Sequence, residues 1–454
     1  MTGKTKNFNE LGEKGVGRLL WQYALPAIMA MTASSLYNIV DGIFIGQGVG
    51  DAAIMGLALT TPLMALTAAF GTMVGVGGST LMSIRLGQRD HRTAKHILGN
   101  VVIMNGLMGI ALSVVLFLFL APILRFFGAS DITLPYAYDF MTVILLGNVF
   151  THLYLGLNAL LRSTGRTQLA MYATLGTVAI NLILAPIFIF ILDMGIAGAA
   201  WATVLAQLVM LLWEIKLFQD KDHLVYFTRE VMHLEKRIVR ESLVIGLPQF
   251  FVNVCACLVA IVVTRSMSQY GGDVSVGAFG ICNRLAMFVV LIVIGLNQGM
   301  QPIAGYNFGA KRNDRLISVV KLTAAVATCV TTSGFLVGVF FAEPCVALFA
   351  KDAPELIEAA SHGLRISTMC FPVIGVQIVS TAFFQSIGLA QRSIFLSLTR
   401  QMIILVPALL ILPHFFEVPS DGVWYAMPLS DLLSTILSVI LLYLQMKKLR
   451  LTQQ

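Results

Sequence analysis

Asp41 is the residue in this sequence with the clearest capacity for chemistry. It follows Ser34, Tyr37 and Asn38 at the spacing i, i+3, i+4, i+7, so four polar side chains share one face of an otherwise apolar helix. After Arg18, no basic residue precedes it on that run. A carboxylate set in hydrocarbon without a counter-charge is unfavourable, and taking up a proton or a cation relieves it. Reversible exchange of that kind is what an ion-coupled carrier requires. Pro26 and Gly42 on the same run suggest a helix that can bend.

Two further carboxylates lie within apolar runs. Asp139 is close to the start of its run, where the outer interface would solvate it. Asp431 lies deeper, at a depth that Arg400 and Arg284 share on neighbouring runs, and a structural ion pair of Asp431 with one of the two is expected. Neutral polar residues recur at helical spacing: Thr174, Thr177 and Asn181 on one run, Thr203 and Gln207 on the next. Val263 stands where the second half would place an equivalent of Asp41, so the ionisable site belongs to the first half. Enzyme chemistry finds little support. Six of the seven histidines fall at run ends or in loops and His152 is isolated, while Cys255 and Cys257, two apart, face away from each other. No metal-ligand set and no cofactor are expected.

The elements that hold these residues are membrane spans. Of 454 residues, 57% are hydrophobic and only 12% charged, about half the charge of an ordinary soluble domain. Apolar runs cover about 18–46, 54–83, 96–121, 134–160, 168–192, 195–217, 241–268, 275–303, 316–342, 357–386, 393–413 and 422–446, each near or above the ~17–25 residues needed to cross hydrocarbon. The polar stretch Phe218–Arg240 reads as the linker between two halves, 1–217 and 241–454, each with six spans. Basic residues gather on alternate connections: Lys4, Lys6, Lys14 and Arg18; Arg85, Arg89, Arg92 and Lys95; Arg162 and Arg166; the linker; Lys311, Arg312, Arg315 and Lys321; Arg392; Lys447, Lys448 and Arg450. The opposite side has Arg125, Arg265 and Lys351. This asymmetry places both termini in the cytoplasm. The net charge of +7 then serves orientation and lipid headgroups, and no nucleic acid is expected as a partner.

The halves repeat one another. A shift of 222 places Leu25-Pro26 on Leu247-Pro248, Gly50-Asp51 on Gly272-Asp273, Gly77 on Gly299 and Gly87 on Gly309, with Arg89 at Lys311; a shift of 223 places Gly165 on Gly388 and Gln168 on Gln391. The shift spans six runs, so the copies have the same orientation, and such paired bundles are common in transporters.

The stretches Leu25-Pro26 to Asp41-Gly42, Asn158-Ala159-Leu160-Leu161-Arg162, Ala197 to Thr203, Gly295 to Gly309, Phe383 to Gly388 and Asp421 to Trp424 resemble the multidrug and toxic compound extrusion (MATE) family, in its DinF-like, MepA-like branch. The resemblance runs nearly end to end. It implies an all-α membrane protein with twelve helices in two pseudo-symmetric six-helix bundles arranged as a V. It also implies export of bulky amphipathic, often cationic drugs across the inner membrane in exchange for H+ or Na+, by a monomer in contact with lipid. Carried over by motif, Asp41 is the coupling carboxylate with Tyr37, Asn181 and Thr203 around it, and Asn158 lines the deeper part of the cavity; the polar stripes read above add Ser34, Asn38, Thr177 and Gln207 to the expected substrate cavity. Relatives read similarly to Asn-x-x-Leu-Asp-Pro where this chain has Asn181-Leu182-Ile183-Leu184-Ala185-Pro186. A second acid is therefore missing, Asp193 lies too near the outer end to replace it, and H+ is favoured over Na+ as the coupling ion. An exporter of lipid-linked or other endogenous metabolites is the rival reading, with Arg284, besides Arg400, as its deep cation.

Overall fold

A computed structural model describes residues 11–349 and 353–451; Lys4, Lys6 and Lys351 lie outside the described residues. All regular structure among these is helical: α1 (Val16–Gly48), α2 (Asp51–Gly87), α3 (His91–Leu118), α4 (Leu120–Phe126), α5 (Leu134–Ser163), α6 (Thr167–Pro186), α7 (Gly195–Gln219), α8 (Lys236–Gly309), α9 (Asn313–Phe340), α10 (Ala342–Ala347), α11 (Pro354–Ser367), α12 (Phe371–Ser386), α13 (Ala390–Leu398), α14 (Val406–Ile411) and α15 (Pro419–Leu451), with short π and 3-10 segments between. Ten helices are long and apolar enough to cross a membrane, and α11 with α12, bent by 58°, forms a further broken span. The 74-residue α8 is two spans joined at Gly272. Twelve crossings result among the described residues, one for each apolar run in the sequence. Phe126, Ile191, Phe340, Leu348 and Phe415 are each more than 70% exposed, a surface suited to lipid contact.

The breaks have local causes. Pro372 follows the first residue of α12; it lacks an N–H and crowds the residue before it, so the tenth run is two helices rather than one. Pro186 ends α6, and five residues of π-helix, Ile187–Ile191, complete that span. Gly272 adopts φ 64°, ψ −163°, a region only glycine occupies readily.

The repeat is visible in the backbone. Gly50 (φ 108°) and Gly272 (φ 64°), Arg89 (63°) and Lys311 (57°), and Gly165 (78°) and Gly388 (77°) are the pairs that the internal shift superposes, and all six have positive φ. The first unit consists mainly of Met29–Phe250, whereas Gly15–Ile28 belongs with Phe251 onward in the second. Both α1 and α8 therefore change unit within three residues of a proline, Pro26 or Pro248. Within the second unit a Cβ on Gly299 would lie 2.5 Å from Ala24 Cα; within the first, one on Gly77 would lie 3.0 Å from Gly246 N. Ala24 and Gly246, like Gly77 and Gly299, are repeat equivalents, so one close crossing is built twice. The first unit has a core around Ile45, Leu63, Phe140, Leu145 and Ile196. The second has one around Met267, Leu364, Leu409 and Trp424.

Candidate functional site

Asp41 lies seven residues before the end of α1 and is 9% exposed. Its Oδ1 is buried and accepts no hydrogen bond from any described residue. No ion pair among the described residues includes it. One turn earlier on the same stripe, Tyr37 reaches across to α6 and α7. Asn181 Nδ2 donates to Tyr37 OH at 2.8 Å and to Thr203 Oγ1 at 2.8 Å, and the two hydroxyls lie 3.0 Å apart. Thr203 spends its own proton on Ala199 C=O at 3.1 Å, so the Tyr37 hydroxyl donates to Thr203 and accepts from Asn181. Asn181 Oδ1 is buried and has no partner among the described residues. The structure thus brings Tyr37, Asn181 and Thr203 into one triangle beside a carboxylate, and it leaves two acceptor oxygens unsatisfied, which is uncommon for buried polar atoms.

The remaining expected residues are distributed along the same helices. Ser34 is half-buried and Asn38 exposed on α1. Thr177 bonds back to Ala173 C=O at 3.0 Å on α6, and Gln207 on α7 makes a short hydrogen bond with Thr151 of α5. Asn158, expected to line the deeper part of the cavity, is enclosed by neighbouring helices. It is 4% exposed, donates to Ala170 C=O at 3.0 Å and to Glu214 Oε1 at 3.0 Å, and accepts from Arg162 Nη1 at 2.5 Å. It is a bridge between α5, α6 and α7.

Glu214 was missed in the sequence. It is fully buried, yet it lies two residues from Lys216 at the end of an apolar run, where solvation is the simpler expectation. A signal existed: Thr203, Gln207 and Glu214 fall at i, i+4 and i+11, one stripe on α7. Arg162 and Arg166 also do more than set topology. Arg166 is 7% exposed, donates from Nη1 to Leu217 C=O at 3.0 Å and covers the Phe218 ring at 4.7 Å. Burial pulls its pKa down to about 10.

In the second unit Arg400 Nε donates to Asp431 Oδ1 at 2.9 Å, with side chains 27% and 10% exposed. Arg284 is exposed and stands apart from this pair. Asp139 and Asp193 are exposed, the latter in the turn before α7 with φ 51°. His152 is buried and its Nε2 lies 3.0 Å from Thr67 C=O. The described cysteines are all free.

Comparison with known proteins gives concordant results. The profile of the MatE family matches residues 26–187 and 248–410, one stretch in each half. The multidrug export protein MepA of Staphylococcus haemolyticus is 27% identical over 433 residues, covering 95% of this chain and 94% of that protein. MepA of Staphylococcus aureus is 25% identical over 432 residues, covering 94% of each. A solved outward-facing conformation of a multidrug resistance MATE family transporter of the MOP superfamily superposes with a TM-score of 0.93 at 22% identity, over 98% of this chain and 99% of that one. A MOP superfamily transporter from Pyrococcus furiosus superposes equally well, at 22% identity over 99% of both chains. At that identity the superpositions speak to fold.

Proposed function

The chain belongs to the MATE family, and from that premise we propose that it exports amphipathic, often cationic drugs across the inner membrane in exchange for H+ bound at Asp41. The observation that carries this reading is the buried Asp41 Oδ1, with no hydrogen bond and no ion pair among the described residues. An ionised carboxylate in that setting has two ways to lose its penalty, a proton or a bound cation. If the drug's cationic group and the proton compete for the same carboxylate, each expels the other, and that competition is antiport. The Tyr37–Asn181–Thr203 triangle ties α1 to α6 and α7 next to the exchanging group, so a change in the charge at Asp41 is felt at the contact between these helices.

Purified protein in liposomes, loaded with a fluorescent cationic dye and given an imposed pH gradient, tests this. Gradient-driven dye movement should occur with the wild type and vanish in Asp41→Asn, with the variant inserted normally. Undiminished movement in that variant would refute the reading. A Na+-coupled version has one observation in its favour: Asn181 Oδ1 is a second unsatisfied acceptor on the helix facing Tyr37, and Na+ takes several oxygens. Transport driven by a Na+ gradient at constant pH would select it.

A further inference from the structure

The segment between α7 and α8 is held firmly to the start of α3. Asn100, fully buried on α3, donates from Nδ2 to His233 C=O at 3.1 Å and accepts from Glu235 N–H at 2.8 Å. One residue earlier, a Cβ on Gly99 would lie 2.6 Å from the Val231 carbonyl carbon, so only glycine lets the segment approach this closely. Lys95 Nζ covers the Tyr226 ring at 4.2 Å. The docking places three metal-ligand side chains together. One ligand atom each from His96, His233 and Glu235 lie within 4.8 Å of one another.

We infer that His96, His233 and Glu235 form a binding site for a divalent transition metal, of which Zn2+ suits the donor set best, clipping the inter-half segment onto α3. Two imidazoles and one carboxylate are a frequent zinc set that leaves the fourth position to water, and magnesium and calcium prefer all-oxygen shells. The spacing fits. Donors about 2.0–2.1 Å from a tetrahedral zinc are about 3.3 Å apart, and His233 Nε2 lies 3.3 Å from Glu235 Oε1. His96 Nδ1 is in close contact with that same oxygen, yet it is buried without a hydrogen bond. A bound metal would satisfy that nitrogen, with the Glu235 carboxylate moving off it to ligand spacing. The imidazole rings meet edge to face, with centroids 5.0 Å apart, and the His96 side chain is 15% exposed, against 53% for His233. An ion would therefore enter from the His233 side. Asn100 fixes the backbone of both segment ligands, the supporting role that outer groups play in metal sites.

The test uses the full-length protein in detergent, stripped with chelator and free of any polyhistidine tag. Zn2+ is titrated by calorimetry, and Co2+ by the visible absorption of a tetrahedral or five-coordinate site. One ion per chain with micromolar or tighter affinity is expected, weakened at least tenfold in His96→Ala and in His233→Ala and unchanged in His223→Ala. Metal-free unfolding temperatures of the variants check that they fold, and a glutamine at the same position, as in His96→Gln or His233→Gln, replaces any alanine that does not. Absence of stoichiometric binding below about 100 μM, or binding indifferent to both histidine changes, would overturn the site and leave a plain His–Glu contact. Asp41→Asn should bind the metal normally, which separates this result from the fate of the transport reading.

Discussion

The Arg400–Asp431 pair offers a quantitative test of how charge is held in the second unit. Arg400 sits in a π-helical segment, Thr399–Leu405, and its own carbonyl accepts from Ser430 Oγ at 2.6 Å. Removing one partner of a buried pair costs about 3–5 kcal/mol because the other charge is stranded. Arg400 is 27% exposed at the side chain, so an abandoned guanidinium recovers part of its solvation, and Gln377 Oε1 is 3.5 Å from its Nη1. A loss of about 2–3 kcal/mol is therefore expected for Asp431→Ala. At about 2–4 °C per kcal/mol for a unit of some 200 residues, the apparent unfolding temperature should fall by about 4–12 °C. Arg400→Met combined with Asp431→Leu removes both charges and fills the space, and should lie within about 1 kcal/mol of the wild type. Trp424, 3% exposed in the core of this unit, reports the transition by its fluorescence during slow heating in detergent. If the double variant loses as much as the two single variants added together, the side chains do not act as a pair and the reasoning fails.

Other outcomes can be checked separately. The cycle Tyr37→Phe with Thr203→Val should give a coupling of about 0.6 kcal/mol, the usual size for hydrogen bonds between membrane helices; zero coupling would mean the triangle is not formed. Gly272→Ala should destabilise the protein by about 1–3 kcal/mol, from the left-handed φ alone, and no loss would show that the break relaxes. Asp90 caps α3 by accepting from Thr93 N–H at 3.1 Å, and Asp90→Ala should cost about 1 kcal/mol at neutral pH. Although burial works against it, the bonds from Thr93 and the nearby Arg85 hold the Asp90 carboxyl below its ordinary range. A depressed folded-state pKa gives stability that is present above the unfolded value of ~4 and lost as pH falls through the folded one. The gap between wild type and Asp90→Ala should therefore be full at pH 7 and close in acid; a constant gap down to pH 2 would contradict the cap.

The twelve crossings, the duplication and the polar stripe on α1 were legible in the sequence because each rests on local periodicity. Hydrocarbon thickness sets run length, and a helix repeats every 3.6 residues whatever it packs against. The shift that superposes Gly50 on Gly272 and Gly165 on Gly388 even marked positions of matching backbone conformation, since positive φ selects residue type locally. Membership in the family was legible for the same reason, through short motifs spread over the whole chain. Tertiary structure alone decided which polar residues meet. Asn181 could bond any neighbouring helix, and only packing brings it to Tyr37 and Thr203. Arg284 and Arg400 were equal partners for Asp431 by depth, and the π-helical turn at Arg400 together with the facing position of α15 chose between them. Glu214 looked like an interfacial acid until the packing of α5 against α7 buried it beside Asn158. His96 and Glu235, far apart in sequence, share no periodicity, so their juxtaposition follows from the docking of one backbone segment against a glycine on α3, a contact for which a linear pattern has no term.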